Sequence, residues 1–526
     1  MLFNSFVFSV FLAVFFPLYL LVRRDVFARN VFLIVSSYVF YGWWDPRFLI
    51  LVAVSTSVDY VAALGAAGKP VSRVDRLKSA AFLLATTAGG LGFASREDLW
   101  LVPLVLAGIC TAGLATYAID RAPEGRRRRY WLYLSLVTNL GVLALFKYFN
   151  FFATSIAAAL AAIGIEIQAA SLSIILPVGL SFYTFQALSR TIDCYRGRFD
   201  PAYSIVDYAA YHAFFPQLVA GPIERAGHLM PQFERVLPLT RGLVGSGALL
   251  FVWGLYQKLV IADNLAPLAS GVFDDPEGGT AAATLVGVLA FAFQIYCDFC
   301  GYSNMARGLA RCLGFDLVAN FDLPYFARTP SEFWRRWHIS LSTWLRDYLY
   351  IPLGGSRGGT AATCRNLMAT MLLGGLWHGA AWTFVAWGGL HGLIQAAYRA
   401  LKVESLIERH PFMTATGVLV HGAAWLATMG LVTIGWVFFR ARSFGDAMAV
   451  LQNLAGVTGY SFQAFGPLLQ YVVPLIAAEI YQRASNRQEI FAGGPFVIRY
   501  VAFLFVMFSL LALSAPGGQE FIYFDF

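Results

Sequence analysis

Apolar runs of membrane-spanning length recur from one end of this chain to the other, and they decide what it can fold into. A helix needs about 20 consecutive apolar residues to cross the hydrocarbon layer of a bilayer. Runs of that length, or close to it, occupy 3–22, 31–44, 47–67, 79–95, 99–119, 131–163, 171–192, 204–222, 244–271, 281–300, 366–400, 412–438, 464–481 and 497–514. Backbone polar groups in lipid must be satisfied within their own segment, so each run is expected to be helical. Some, such as 204–222, read as re-entrant, leaving roughly ten to thirteen true spans. The expected fold is an all-α polytopic membrane protein, with one integral membrane domain over residues 1–526. No internal repeat is evident.

Composition agrees. Apolar residues make up 58% of the 526 and charged residues 13%, about half the roughly 25% of globular chains. A soluble protein of this make-up would expose large apolar patches. The net charge of +8 falls in short clusters between apolar runs, as in cytoplasmic membrane loops. Nucleic-acid binding wants a continuous basic face with interleaved aromatics, and none is present. Three early basic clusters stand out: Arg23, Arg24 and Arg29; residues 69–78; and residues 126–129. Two apolar segments separate each from the next, which puts all three on one side, the cytoplasmic one, and the N-terminus outside. No basic residue precedes the first run and no small-residue cleavage site follows it, so it reads as a retained helix. The six cysteines are scattered; Cys297 and Cys300 have CxxC spacing but no second pair, and read as buried thiols rather than a metal site.

Ionisable groups at bilayer depth cost about 2.5–3.5 kcal/mol on insertion scales, so each needs a reason. His378 lies inside the run 366–400, in Leu372-Leu373-Gly374-Gly375-Leu376-Trp377-His378-Gly379-Ala380-Ala381-Trp382. A neutral, satisfied core histidine is one reading. The other is a site: Gly374, Gly375 and Gly379 leave space beside the ring for a substrate or a close backbone. Trp382, four residues on, would share its helix face and wall a pocket. His391 falls about 220° around a continuous helix and reads as structural.

A second stretch, 329–348, opens with Thr329 as N-cap, Pro330 at the first helical position and Glu332 at the third, a capping box. Trp334, Trp337, Leu341, Trp344, Leu345 and Tyr348 make an apolar face. Arg335, His338, Ser342 and Arg346 make a polar stripe opposite. Pro352, Gly354 and Gly355 end the helix. The stripe reads equally as arginines of an interfacial helix in the headgroup layer, or as the lining of a polar cavity that meets an anionic ligand.

The pairing of residues 333–342 (FWRRWHISLS) with 375–379 (GLWHG) resembles the membrane-bound O-acyltransferase family, in particular its branch that O-acetylates bacterial exopolysaccharides such as alginate. Residues 294–303 (QIYCDFCGYS), 346–355 (RDYLYIPLGG), 220–223 (AGPI), 177–183 (PVGLSFY) and 436–440 (WVFFR) also look like that branch, with cysteine at 297 as a local departure. The resemblance implies a ring of membrane helices around a funnel or tunnel, and two functional histidines at His338 and His378. Attack of a hydroxyl on a thioester needs a base near neutrality, which suits histidine. On this reading His378 is the general base, and His338 orients the donor or steadies the oxyanion. Arg335, Arg336 and Arg346 are candidate contacts for coenzyme A phosphates. Ser342 and Trp382 join them as donor or substrate contacts, and Asp298 would orient a histidine or pair with Arg307.

The resemblance further implies an acetyltransferase of the bacterial cytoplasmic (inner) membrane, with no permanently bound cofactor and no metal. Its donor would be acetyl-coenzyme A on the cytosolic side, and its partner an extracytoplasmic acetyltransferase that modifies a polysaccharide. Two rivals stand beside it. One is a D-alanyl transferase of teichoic acid supplied by a small carrier protein. The other is a transporter of an acylated carrier, which would favour symmetric broken-helix repeats.

Overall fold

The computed structural model describes residues 1–92, 101–172, 175–456, 462–491, 493, 495–516, 519, 521 and 522. The ends of the runs 79–95 and 99–119 that fall in 93–100, and residues 173–174 of the run 171–192, lie outside them. Among the described residues there is helix and no strand. Seven helices among the described residues are long and apolar enough to cross a membrane, and three shorter apolar helices, Phe6–Val22, Val26–Gly42 and Phe496–Ala512, stand beside them. The chain is a multi-pass, all-α membrane protein.

The chain divides into two compact units, Met1–Thr240 with Leu313–Leu317, and Arg241–Cys312 with Val318–Phe526. In the first, the helix Leu49–Ala66 is almost wholly buried, and its Asp59 is held by Ser55, Ser135 and Asn139. A carboxylate inside a helical membrane unit is tolerable only with such partners. Of the clusters read as basic loops, Arg23 and Arg24 do lie in the turn between Phe6–Val22 and Val26–Gly42, but Arg29 and residues 126–129 are helical. Arg29 is fully buried in the helix Val26–Gly42 and donates to the carbonyls of Phe233 and Arg235, each at 2.7 Å. Residues 126–129 form the first turns of the helix Glu124–Leu143. The run 204–222 does not span: it is two short helices, Ile205–His212 and Phe215–Leu218.

The second unit is built on the 32-residue helix Ala281–Cys312, packed against Arg241–Tyr256 and Asp263–Phe273. Those two are joined by a π-helical segment, Gln257–Ala262, a geometry that frees backbone groups and concentrates at functional positions. Gly254 and Gly301 let backbones touch here: a Cβ on Gly301 would stand 2.7 Å from the Gly254 carbonyl. The run 366–400 is not one helix but two, Gly359–His378 and Trp382–Ala400, folded back on each other. The stretch 329–348 is likewise two helices, Pro330–Arg336 and Ile339–Leu345, continued by a π-helical turn, Arg346–Tyr350.

Candidate active site

Both breaks fall at the two histidines. His378 is the last residue of its helix, and Gly379 leaves it in extended conformation. The fold-back is enforced by glycine. A Cβ on Gly375 would lie 2.2 Å from the Phe384 carbonyl oxygen, and one on Gly379 would lie 2.1 Å from the Phe384 ring. Gly375 thus serves a close backbone, while the space at Gly379 is taken by the Phe384 ring. The break also cancels the angular relations read from a continuous helix. Trp382 opens the next helix and is 56% exposed, so it does not share a helix face with His378. His391 comes back towards the site through Trp387, whose ring lies 4.9 Å from His391 and 5.1 Å from His378.

His338 interrupts the second stretch. Trp337 is extended, and His338 itself is left-handed at φ 41° and ψ 57° before the helix Ile339–Leu345 begins. A non-glycine residue there costs on the order of 1–3 kcal/mol and persists only when its surroundings hold it. Asn320 supplies the hold. Its carbonyl accepts from the Ile339 N–H at 2.8 Å. Its side-chain oxygen accepts from the Ser340 hydroxyl at 2.6 Å, and its amide donates to Ser303 at 2.9 Å. The apolar face survives the break: Trp334, Trp337, Leu341, Trp344 and Leu345 are all buried.

The outcome is a pair of buried imidazoles, His338 and His378, with ring centroids 6.4 Å apart and planes at 64°. Phe299 closes edge-on against His338 at 4.6 Å; Trp377, Trp387 and Phe439 surround His378 at 4.9–5.4 Å. With centroids 6.4 Å apart, the two rings are close enough to act on one and the same bound group. An aromatic lining keeps water out, which strengthens every polar interaction made there.

The polar stripe does not survive as a stripe. Arg335 is exposed and lines a cavity of about 730 Å³ together with Arg328, Arg336, Glu332, Glu404 and His421. Arg336 pairs with Glu332 at 3.1 Å and Asp322 at 3.4 Å. Thr329 caps its helix as expected, but Glu332 turns to the Arg328 N–H instead of closing the capping box. Burial alone would raise the Glu332 carboxyl; the Arg328 N–H and the Arg336 and Arg328 guanidiniums outweigh it and hold it below the usual carboxylate range. Arg346 is exposed, donates to Asp347 at 2.8 Å, and does not line that cavity; Ser342 is half-buried. Asp298 pairs not with Arg307 but with Lys258, at 2.8 Å, and Lys258 also holds Asp263 at 2.9 Å. Arg307 lies 3.7 Å from Glu489. Cys297 and Cys300 are buried and unbridged.

A model of the membrane-bound O-acyltransferase family matches residues 130–440, which contain both histidines. This chain belongs to that family. It is therefore an O-acyltransferase. The acyltransferase is 36% identical to a protein of Azotobacter vinelandii named "Probable alginate O-acetylase AlgI", over the whole of both chains. It is 38% identical to the protein of the same name from Pseudomonas aeruginosa, over 94% of this chain and 87% of the relative. It is also 35% identical to a "Peptidoglycan O-acetyltransferase" of Helicobacter pylori, over 68% and 71% of the two chains. Sequence reasoning passed over Asn320, Lys258 and Asp263 in this enzyme. The signal for the last two was present: both are charged residues inside the apolar run 244–271.

Proposed function

We propose that this enzyme takes acetyl from acetyl-coenzyme A at the cytosolic face of the bacterial inner membrane and delivers it for O-acetylation of an exopolysaccharide such as alginate. An extracytoplasmic acetyltransferase is its partner on the far side. The observation that carries the reading is the pair of buried imidazoles with ring centroids 6.4 Å apart. A hydroxyl placed between them donates its proton to His378, and its oxygen attacks the thioester carbonyl carbon. The C–O bond forms and the C–S bond breaks; the sulfur leaves with the proton returned by His378, as free thiol. His338, from the other side, orients the donor carbonyl or donates to the oxyanion. Arg335 and Arg336 lie at the rim of the 730 Å³ cavity, where guanidiniums suit the diphosphate of coenzyme A. The names of the full-length relatives support acetyl as the group and alginate as the acceptor.

The test is reconstitution of the purified enzyme in liposomes with acetyl-coenzyme A on one side and, on the other, oligomeric alginate together with an extracytoplasmic polysaccharide acetyltransferase. Release of free thiol that depends on the polysaccharide is expected. No thiol release, with turnover seen instead from a D-alanyl carrier protein, would replace the reading by the D-alanyl one. Movement of intact acyl carrier across the bilayer without thiol release would make the protein a transporter.

A further inference from the structure

Lys258, Asp263 and Asp298 form a buried cluster of one cation and two carboxylates, with side chains no more than 5% exposed. Such a group inside membrane helices is expensive and is expected to serve something. Both carboxylates of the cluster reach the backbone of the C-terminal segment. Asp298 Oδ2 accepts from the Ile522 N–H at 2.7 Å, and Asp263 Oδ2 accepts from the Gln519 N–H at 3.4 Å. The same segment is tied down just upstream, where Asn264 donates to the Leu513 carbonyl at 2.8 Å and the Ala515 N–H donates to the Leu259 carbonyl at 3.2 Å. It thus follows the π-helical turn Gln257–Ala262 and the residues after it.

The anchored segment carries a side chain to the site. Phe521 is 1% exposed, its ring 4.8 Å from Tyr302 and 6.1 Å from Phe299. Phe299 is the ring that meets His338 edge-on at 4.6 Å. We infer that Lys258, Asp263 and Asp298 are positioning residues: they pin the C-terminal segment so that Phe521 backs Phe299 and fixes the His338 imidazole opposite His378. The inference rests on the proposed acyl transfer at that histidine pair. The number of acceptor oxygens explains the stoichiometry. The lysine satisfies one oxygen of each carboxylate, and the second oxygen of each is left to hold a backbone N–H of the segment.

The test uses the full-length enzyme in nanodiscs, with amide hydrogen exchange and steady-state kinetics read on the same samples. Asp298→Leu keeps the Lys258–Asp263 pair but removes the acceptor for Ile522. Exchange at the Ile522 amide should accelerate, and kcat should fall about tenfold with the donor KM within about twofold. Asp298→Asn retains an acceptor oxygen and should recover most of that loss, a difference that loss of bulk or fold would not produce. Phe521→Ala leaves the cluster intact and should lower kcat by a similar factor even if Asp298→Leu does not fold. Full kcat in Phe521→Ala, full kcat with the Ile522 amide released, or lost kcat with that amide still protected would each overturn the inference. The His378→Ala variant separates the two readings: if it turns over like wild type, the acyl-transfer reading has failed, whereas the exchange result stands independently of activity.

Discussion

Replacing Asn320 by alanine removes the side-chain clamp on the turn that presents His338. Two short bonds are lost, to the Ser340 hydroxyl at 2.6 Å and the Ser303 hydroxyl at 2.9 Å, together with a long one from the Ser340 N–H at 3.4 Å. Each buried hydrogen bond contributes about 0.5–1.5 kcal/mol net, so the clamp supplies about 1–3 kcal/mol. The left-handed His338 costs a similar amount, on the order of 1–3 kcal/mol. Clamp and strain are of equal size, so loss of the clamp lets the turn relax towards an ordinary conformation that withdraws the imidazole. The backbone bond from Ile339 to the Asn320 carbonyl does not depend on the side chain and keeps the segment docked. A shift of 1.36 kcal/mol is tenfold in rate, so kcat should fall between about tenfold and a hundredfold while the protein remains folded. Thioester turnover by the purified variant, alongside its thermal unfolding midpoint, reads both quantities. A folded Asn320→Ala enzyme with kcat within about twofold of wild type would show that the His338 turn is not held by this side chain.

Other perturbations have equally definite outcomes. Gly375→Ala forces a methyl to within 2.2 Å of the Phe384 carbonyl oxygen, so the hairpin must open and the protein should lose about 1–3 kcal/mol of stability, seen as a lower unfolding midpoint. Arg335→Ala should raise the KM for acetyl-coenzyme A more than it lowers kcat, since a donor contact at the cavity rim acts in ground state and transition state alike. His228, held first by Asp316 and then by Glu224 at 2.8 Å, is pushed up to about 10. A raised folded value means that its stabilisation is complete below the unfolded value of 6.5 and is lost as pH rises towards 10. Thermal melts between pH 7 and pH 10 should show that decline, and His228→Gln should flatten it.

Much of the architecture was legible because membrane helices announce themselves by length and hydropathy: the runs 3–22, 281–300 and 412–438 each lie within or against an observed helix. The site was legible as two histidines and not as a geometry. Nothing local in Trp337-His338-Ile339 announces a left-handed residue; the conformation is imposed by Asn320, from a loop distant in sequence. Gly375 and Gly379 pointed to close approach, yet a helical pattern through 366–400 concealed the break between His378 and Trp382, and the same-face relation of those two residues was misread with it. Arg335 and Arg346 shared a face only while the helix was assumed unbroken. Lys258 and Asp263 were hidden by the apolar run that contains them, although a charge in such a run is itself the clue.

The central claim is that His378 and His338 together move an acyl group from a thioester to a hydroxyl. Its most direct measurement is thioester consumption by purified His378→Ala and His338→Ala variants, each shown by its unfolding midpoint to be folded. Loss of a general base should lower turnover by about 10²–10⁴-fold in His378→Ala, and His338→Ala should lose activity with it. Wild-type turnover in both folded variants would contradict the mechanism and leave the buried pair without a catalytic role.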